Sequence, residues 1–136
     1  MELIKLIEET DNFFQLHWNR MKISMEPPKW SIPWQFSGSI ANGDMAGCYA
    51  LFSNEKLLYI GVAERGLGSR TNSYTRVLKT QSSIQERSYV AEASWQARDL
   101  THLHTIAFPV EYWYLSAALE KFLIRKLNPS ENRNGK

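Results

Sequence analysis

The chain carries a single cysteine, Cys48, which excludes an internal disulfide and removes any need for an oxidising compartment. Long apolar runs are missing too: no stretch approaches the ~18 residues that a membrane-spanning helix requires. The opening MELIKLIEETD places acids where a secretory leader would be basic. These absences set the expectation of a soluble cytoplasmic protein with no membrane partner. Histidine is scarce, and His102 and His104 stand at i, i+2 with no cysteine or third ligand nearby, so a zinc set is not expected. Nor is charge of one sign in excess. The net charge is +2, unevenly spread. Residues 1–44 hold four basic against six acidic residues, and residues 45–136 hold twelve against eight. The second part is therefore the better suited to a polyanion.

The 136 residues, 43% of them hydrophobic, suffice for one ordinary core. Apolar residues at Leu3, Leu6, Ile7, Phe13 and Phe14 recur with helical period over 3–21, and Asp11 is placed to cap a second helical piece. The segment MEPPKWSIPWQFSGSIANGD has too many prolines and glycines for a helix and reads as an extended connector. Its Trp30, Trp34 and Phe36 are expected to dock on the domain surface, with a stacking or dimer contact as the alternative. Two aromatic-rich runs follow, AGCYALF (46–52) and KLLYIGVA (56–63), joined by Ser-Asn-Glu: a hairpin with a short loop. Gly66 and Gly68 open a segment expected to turn helical through Arg70, and 82–103 is expected to be another helix. A strand is expected within 101–114, with Pro109 marking an edge or bend. SAALEKFLIRKL (116–127) reads as the clearest helix, with Ser116 as its cap and Asn128-Pro129 as its stop. The division is an arm and connector over 1–44 and a catalytic domain over 45–136. The fold class is α/β of the α+β kind, a small three-stranded antiparallel sheet flanked by helices.

Alternation along the hairpin allows Tyr49 and Tyr59 to share one face of the sheet. A phenol titrates near 10 and needs neighbouring cations to act as a base. Arg70 is placed to help and to contact phosphate, and Tyr74 lies one helical turn beyond it. Gly47-Cys48-Tyr49, then Tyr59-Ile60-Gly61 ten residues on, Leu67-x-x-Arg70, Glu120 in the late helix and Asn132 twelve residues later form an ordered set. That set resembles the GIY-YIG nuclease superfamily over about 45–136, an essentially whole catalytic domain. The resemblance implies magnesium- or manganese-dependent hydrolysis of phosphodiester bonds, in DNA first and RNA second, with a homodimer as one way to cut both strands.

By the same resemblance, Glu120 is the metal-binding glutamate, Tyr49 the proposed general base and Tyr59 the tyrosine that positions by hydrogen bonding. Arg70 is the contact to the scissile phosphate, and Tyr74 stands where members carry histidine or tyrosine. Asn132 is the asparagine that braces the site. Two departures stand out. Cys48 replaces the usual aliphatic centre of the first motif, and the loop 62–69 is one residue longer than the commonest pattern. The longer loop leaves Arg65 as an alternative to Arg70, and Asn134 competes with Asn132. Arg70 is preferred because Leu67 falls three residues before it. Lys121, Arg125, Lys126, Arg133 and Lys136 offer a phosphate-tracking face. Two other functions fit the same fold: a non-catalytic nucleic-acid-binding module, and a low-specificity nuclease toxin or effector.

Overall fold

The computed structural model describes residues 2–19, 21–79 and 87–132. Asn134, Arg133, Lys136 and the start of the helix expected over 82–103 lie outside them. The described chain is a mixed α/β fold. Its centre is a three-stranded antiparallel sheet in the order β2-β1-β5, made of β1 (Gly47–Ser53), β2 (Lys56–Ala63) and β5 (His102–Ala107). A second ribbon pairs β3 (Thr75–Lys79) with β4 (Ser88–Ala91). Four α-helices complete it: α1 (Glu2–His17), α2 (Leu67–Thr71), α3 (Ala93–Gln96) and α4 (Leu115–Leu127). Among the described residues no helix is long and apolar enough to cross a membrane.

The hairpin forms where the alternating pattern places it. Asn54 turns it at φ 52°, a left-handed conformation that asparagine tolerates because its short polar side chain bonds locally. Strand β1 is central and buried along its length up to Ser53, because both faces of the sheet are covered. Cys48, Ala50, Phe52 and Ile60 face a core shared with Leu6, Phe13 and Phe14 of α1 and Leu119, Leu123 and Ile124 of α4. Tyr49, Leu51 and Leu103 face a second core with Leu67, Tyr74 and Leu100. Helix α1 is one unbroken element rather than two. Asp11 sits inside it, and Thr10 returns its hydroxyl to the Leu6 carbonyl at 2.7 Å. The Trp30 indole N–H donates to that same hydroxyl at 2.8 Å, tying the connector to the helix.

Open sheet edges invite pairing with other chains, and here both edges are occupied. Along β5, the connector supplies Ser31 N to Thr105 O at 2.7 Å and a reciprocal pair between Trp34 and Leu103 at 2.8 and 3.1 Å. It then passes to β4, where the Tyr89 N–H donates to Phe36 O and the Gly38 N–H to Arg87 O. Trp34 and Phe36 pack on the second core and Trp30 on the first. Along β2, the chain leaving α4 supplies Glu131 N to Leu58 O and the side chain of Asn132 to Ile60.

Three expected elements differ from the sequence reading. The helix opened by Gly66 and Gly68 lasts only Leu67–Thr71, passes through a 3-10 turn over Asn72–Tyr74 and becomes β3. Thr75 and Val77 are β-branched and alternate, which suits a strand once β4 is there to pair with it. Within 88–103, a strand, one helical turn and the start of β5 replace the expected helix. Finally, α4 begins at Leu115, and Ser116 does not cap it. The Ser116 hydroxyl donates to Trp113 O at 2.6 Å inside the first turn, after a 3-10 lead-in over Val110–Tyr112. The far end is as expected: Asn128 takes φ 50° and closes the helix onto the Ile124 carbonyl before Pro129.

Candidate active site

Tyr49 lies directly opposite Gly61 in the β1–β2 register. Its ring crosses its own pairing partner and passes over the glycine. A β-carbon on Gly61 would meet Tyr49 Cε1 at 2.6 Å and its ring terminus closer still. Gly47 is confined in the same way on the other side of β1, where a β-carbon would run into the Ile106 carbonyl and lie 3.0 Å from Ala107 Cα. The two motif glycines are thus demanded by close approach, one beneath a phenol and one against a neighbouring strand.

The phenol that Gly61 admits ends in a cluster. The Tyr49 and Tyr74 hydroxyls are 2.9 Å apart, and Arg70 Nε donates to the Tyr49 oxygen at 3.2 Å. Tyr59 completes a triangle of rings, its centroid 6.3 Å from Tyr49 and 6.2 Å from Tyr74. Exposure separates the three. Tyr49 is wholly buried and Tyr74 is 8% exposed, whereas Tyr59 is half-buried and Arg70 exposed. The two Nη groups of Arg70 make no hydrogen bond among the described residues, which leaves them free for an anion on the open side.

The electrostatics follow from that burial. All three phenols are pushed above their ordinary value, in each case chiefly by loss of water. For Tyr49 the hydrogen bond with Tyr74 and the Arg70 charge pull the other way without cancelling it. For Tyr59 the Tyr74 phenol and the Glu120 carboxylate add to the rise. Arg70 is held more firmly protonated, first by Tyr49.

Glu120 lies on α4, which packs on the opposite face of the sheet from Tyr49, and its charge acts on Tyr59 and Arg70. Burial pushes its carboxyl up; Lys121 opposes this, Glu64 reinforces it, and Arg70 opposes it again. No hydrogen bond or ion pair engages the Glu120 carboxylate among the described residues, so its oxygens are available to a cation. Among those residues no group of three or more His, Cys, Asp or Glu side chains could hold a metal by itself. The donor set therefore fits a hard cation that keeps most of its water and takes a single carboxylate, and does not fit zinc. Cys48 donates to Ser116 O at 3.1 Å, and burial raises its thiol well above the ordinary value. It is a packing residue rather than a nucleophile.

Asn132 is 3% exposed. It accepts from the Ile60 N–H at 2.8 Å and donates to the Ile60 carbonyl at 2.9 Å, imitating a strand partner between Tyr59 and Gly61. Replacing it with alanine leaves two buried backbone groups unpaired, at roughly 1–3 kcal/mol each. Asn132→Ala is expected to lose about 2–6 kcal/mol of stability, measured by urea unfolding. A loss under about 0.5 kcal/mol would show that the clamp is dispensable.

The structure brings Tyr49, Tyr59, Arg70 and Tyr74 together, sets Glu120 within electrostatic reach, and uses Asn132 to hold the strand that carries Tyr59. Arg65 lies apart from the phenols and lines a separate cavity. Three residues at this site had no role in the sequence reading. Trp95 closes the cluster, its ring 5.3 Å from Tyr74 and 6.0 Å from Tyr59. Arg98 covers its outer face at 4.7 Å. Glu64 is the second carboxylate near Glu120. Glu64 lies three residues after the second motif and was open to notice, but no spacing rule would have selected Trp95. No protein-family model, curated protein or solved structure matches this chain.

Proposed function

We propose that the chain is a divalent-metal-dependent endonuclease of the GIY-YIG type that hydrolyses phosphodiester bonds in DNA. The observation that carries this reading is the linkage of Arg70 to Tyr49 through Nε, with both Nη groups left over, beside a second phenol and an unengaged carboxylate. The Nη pair is the natural grip for a scissile phosphate, where it would stabilise charge developing in the transition state. Tyr59 faces outward and would hold the attacking water. Tyr49, hydrogen-bonded to Tyr74 and Arg70, would accept the water's proton as the phenolate, its own phenolic proton having first been released to solvent. Glu120 would hold magnesium or manganese, which when bound polarises the phosphate and steadies the leaving oxygen.

The test is plasmid cleavage by the purified chain in magnesium and in EDTA, beside Arg70→Ala. Cutting in magnesium alone, reduced about 10²–10³-fold in the variant, is the expected result. Binding without cutting across magnesium and manganese would favour the non-catalytic module, to which the complete burial of Tyr49 lends some weight. Discrete fragments would separate a specific endonuclease from an indiscriminate effector.

A phenol acting as base carries a pH signature. Its folded pKa is raised above about 10, so at neutral pH only a trace is ionised, and that trace grows with pH. kcat/KM is therefore expected to climb roughly tenfold per pH unit between about 7 and 9, without a neutral plateau. A flat profile would remove the tyrosines from proton transfer and leave them a positioning role.

A further inference from the structure

A cavity of about 490 Å³ opens where β1 begins and β2 ends, bounded by Asp44, Glu64, Arg65, Phe108, Val110 and Trp113. Phe108 forms its buried floor, while Val110 is 79% and Trp113 44% exposed. The cavity thus presents an indole and an aliphatic surface to solvent beside the candidate site. Glu64 belongs to both places. It lines the cavity and stands close enough to Glu120 to act on its charge. Strand β2 connects the two, since Tyr59 to Glu64 spans roughly 17 Å at the usual rise.

The chemistry of the walls selects an occupant. Two carboxylates against one guanidinium leave the rim acidic, which disfavours a phosphate but accepts N–H donors. The pairing of a carboxylate with an exocyclic amine is how proteins read cytosine. An exposed indole is the surface on which an unstacked base rests. We propose that this cavity receives an amino-bearing nucleobase (cytosine, adenine or guanine, but not thymine), unstacked from the substrate strand a few nucleotides from the cleaved bond, with Trp113 as the stacking wall and Asp44 and Glu64 as acceptors. Arg65 at the rim is then left to pair with the neighbouring backbone phosphate. The proposal rests on the nuclease reading for its substrate but makes its own prediction about binding.

The experiment measures fluorescence anisotropy of labelled single-stranded oligonucleotides with the full chain in EDTA, where cutting is suspended. Oligo-dC and oligo-dA are compared with oligo-dT, beside free cytidine as competitor. Magnesium-dependent cutting of plasmid is read in parallel. Tighter binding of dC and dA than of dT by about tenfold is expected. Trp113→Ala should remove most of that preference while changing dT affinity less than twofold, and Trp113→Phe should restore it. Asp44→Asn should narrow the preference without loss of folding, since Asp44 is exposed. Equal affinity for all three oligonucleotides, or a preference indifferent to Trp113→Ala, overturns the proposal whether or not the chain cuts. A Trp113-dependent preference in a chain that never cuts upholds the cavity and refutes the nuclease reading. Competition by free cytidine as strong as by oligo-dC also overturns it, because the site would then belong to a small molecule.

Discussion

Glu120→Gln is expected to lower magnesium-dependent cleavage by about 10³-fold or more while the protein folds and binds DNA at least as well as before. The size follows from the charge removed. Lewis-acid stabilisation of a phosphoryl transition state amounts to several kcal/mol, and each 1.36 kcal/mol is a factor of ten. Glutamine keeps the shape of the side chain and discards the charge that would hold the cation. Two further readouts separate this from structural damage. Taking a carboxylate away from the proposed polyanion site should strengthen DNA binding in EDTA. The substitution should also raise Tm at neutral pH. The folded Glu120 carboxyl is raised by burial and by Glu64, so its ionised form opposes folding above that pKa, and the penalty disappears as the pH falls and the group takes up a proton. Glutamine carries no such penalty at any pH. A variant that cuts at the parent rate would mean that the cation, if one acts, is held elsewhere; a lower Tm with lost cutting would point to misfolding instead.

The hairpin was legible because its signals are local. Alternating aromatic runs, a Ser-Asn-Glu turn and two glycines all lie within eighteen residues, and they describe β1 and β2 nearly to the residue. Helix α4 was legible for the same reason, up to its Asn128-Pro129 stop. Its start was not, since a 3-10 lead-in made a side-chain cap unnecessary. Residues 67–79 and 88–103 were misread because their strands depend on partners far away in the chain. β3 exists by pairing with β4, and β4 in turn is flanked by the connector at Phe36 and Gly38. Propensity in a short window cannot register either contact. The site divides along the same line. Tyr49, Tyr59, Arg70 and Tyr74 fall within a 26-residue stretch and gather as a hairpin and one helical turn require. Trp95 reaches them only through β4, and Glu64 gains its meaning only when α4 brings Glu120 alongside.

Gly61→Ala is expected to cost the fold heavily while leaving the chemistry of every side chain intact. The methyl would sit inside the Tyr49 ring, 2.6 Å from Cε1, and that ring has nowhere to go: it is fully buried, with Leu67 and Tyr74 in the same core. Overpacking of this kind costs about 1–3 kcal/mol. Moving the ring also breaks its hydrogen bonds to Tyr74 and Arg70, at about 1 kcal/mol apiece. A loss of roughly 3–5 kcal/mol follows, a large share of the 5–15 kcal/mol on which such a domain stands. Tm should fall by roughly 10–20 °C. Below that temperature the folded fraction should still cut about 10²-fold more slowly, because a phenol displaced by an ångström no longer sits behind Arg70. Gly43→Ala is the matched control. Its β-carbon would find nothing nearer than 3.5 Å, so stability and cutting should stay close to the parent. If Gly61→Ala melted with the control, the glycine of the second motif would be indifferent to Tyr49, and the enclosure of that phenol would need another cause. If it melted low but cut normally when folded, the position of Tyr49 would not limit the reaction, and the proton would be accepted by Tyr59 on the open side.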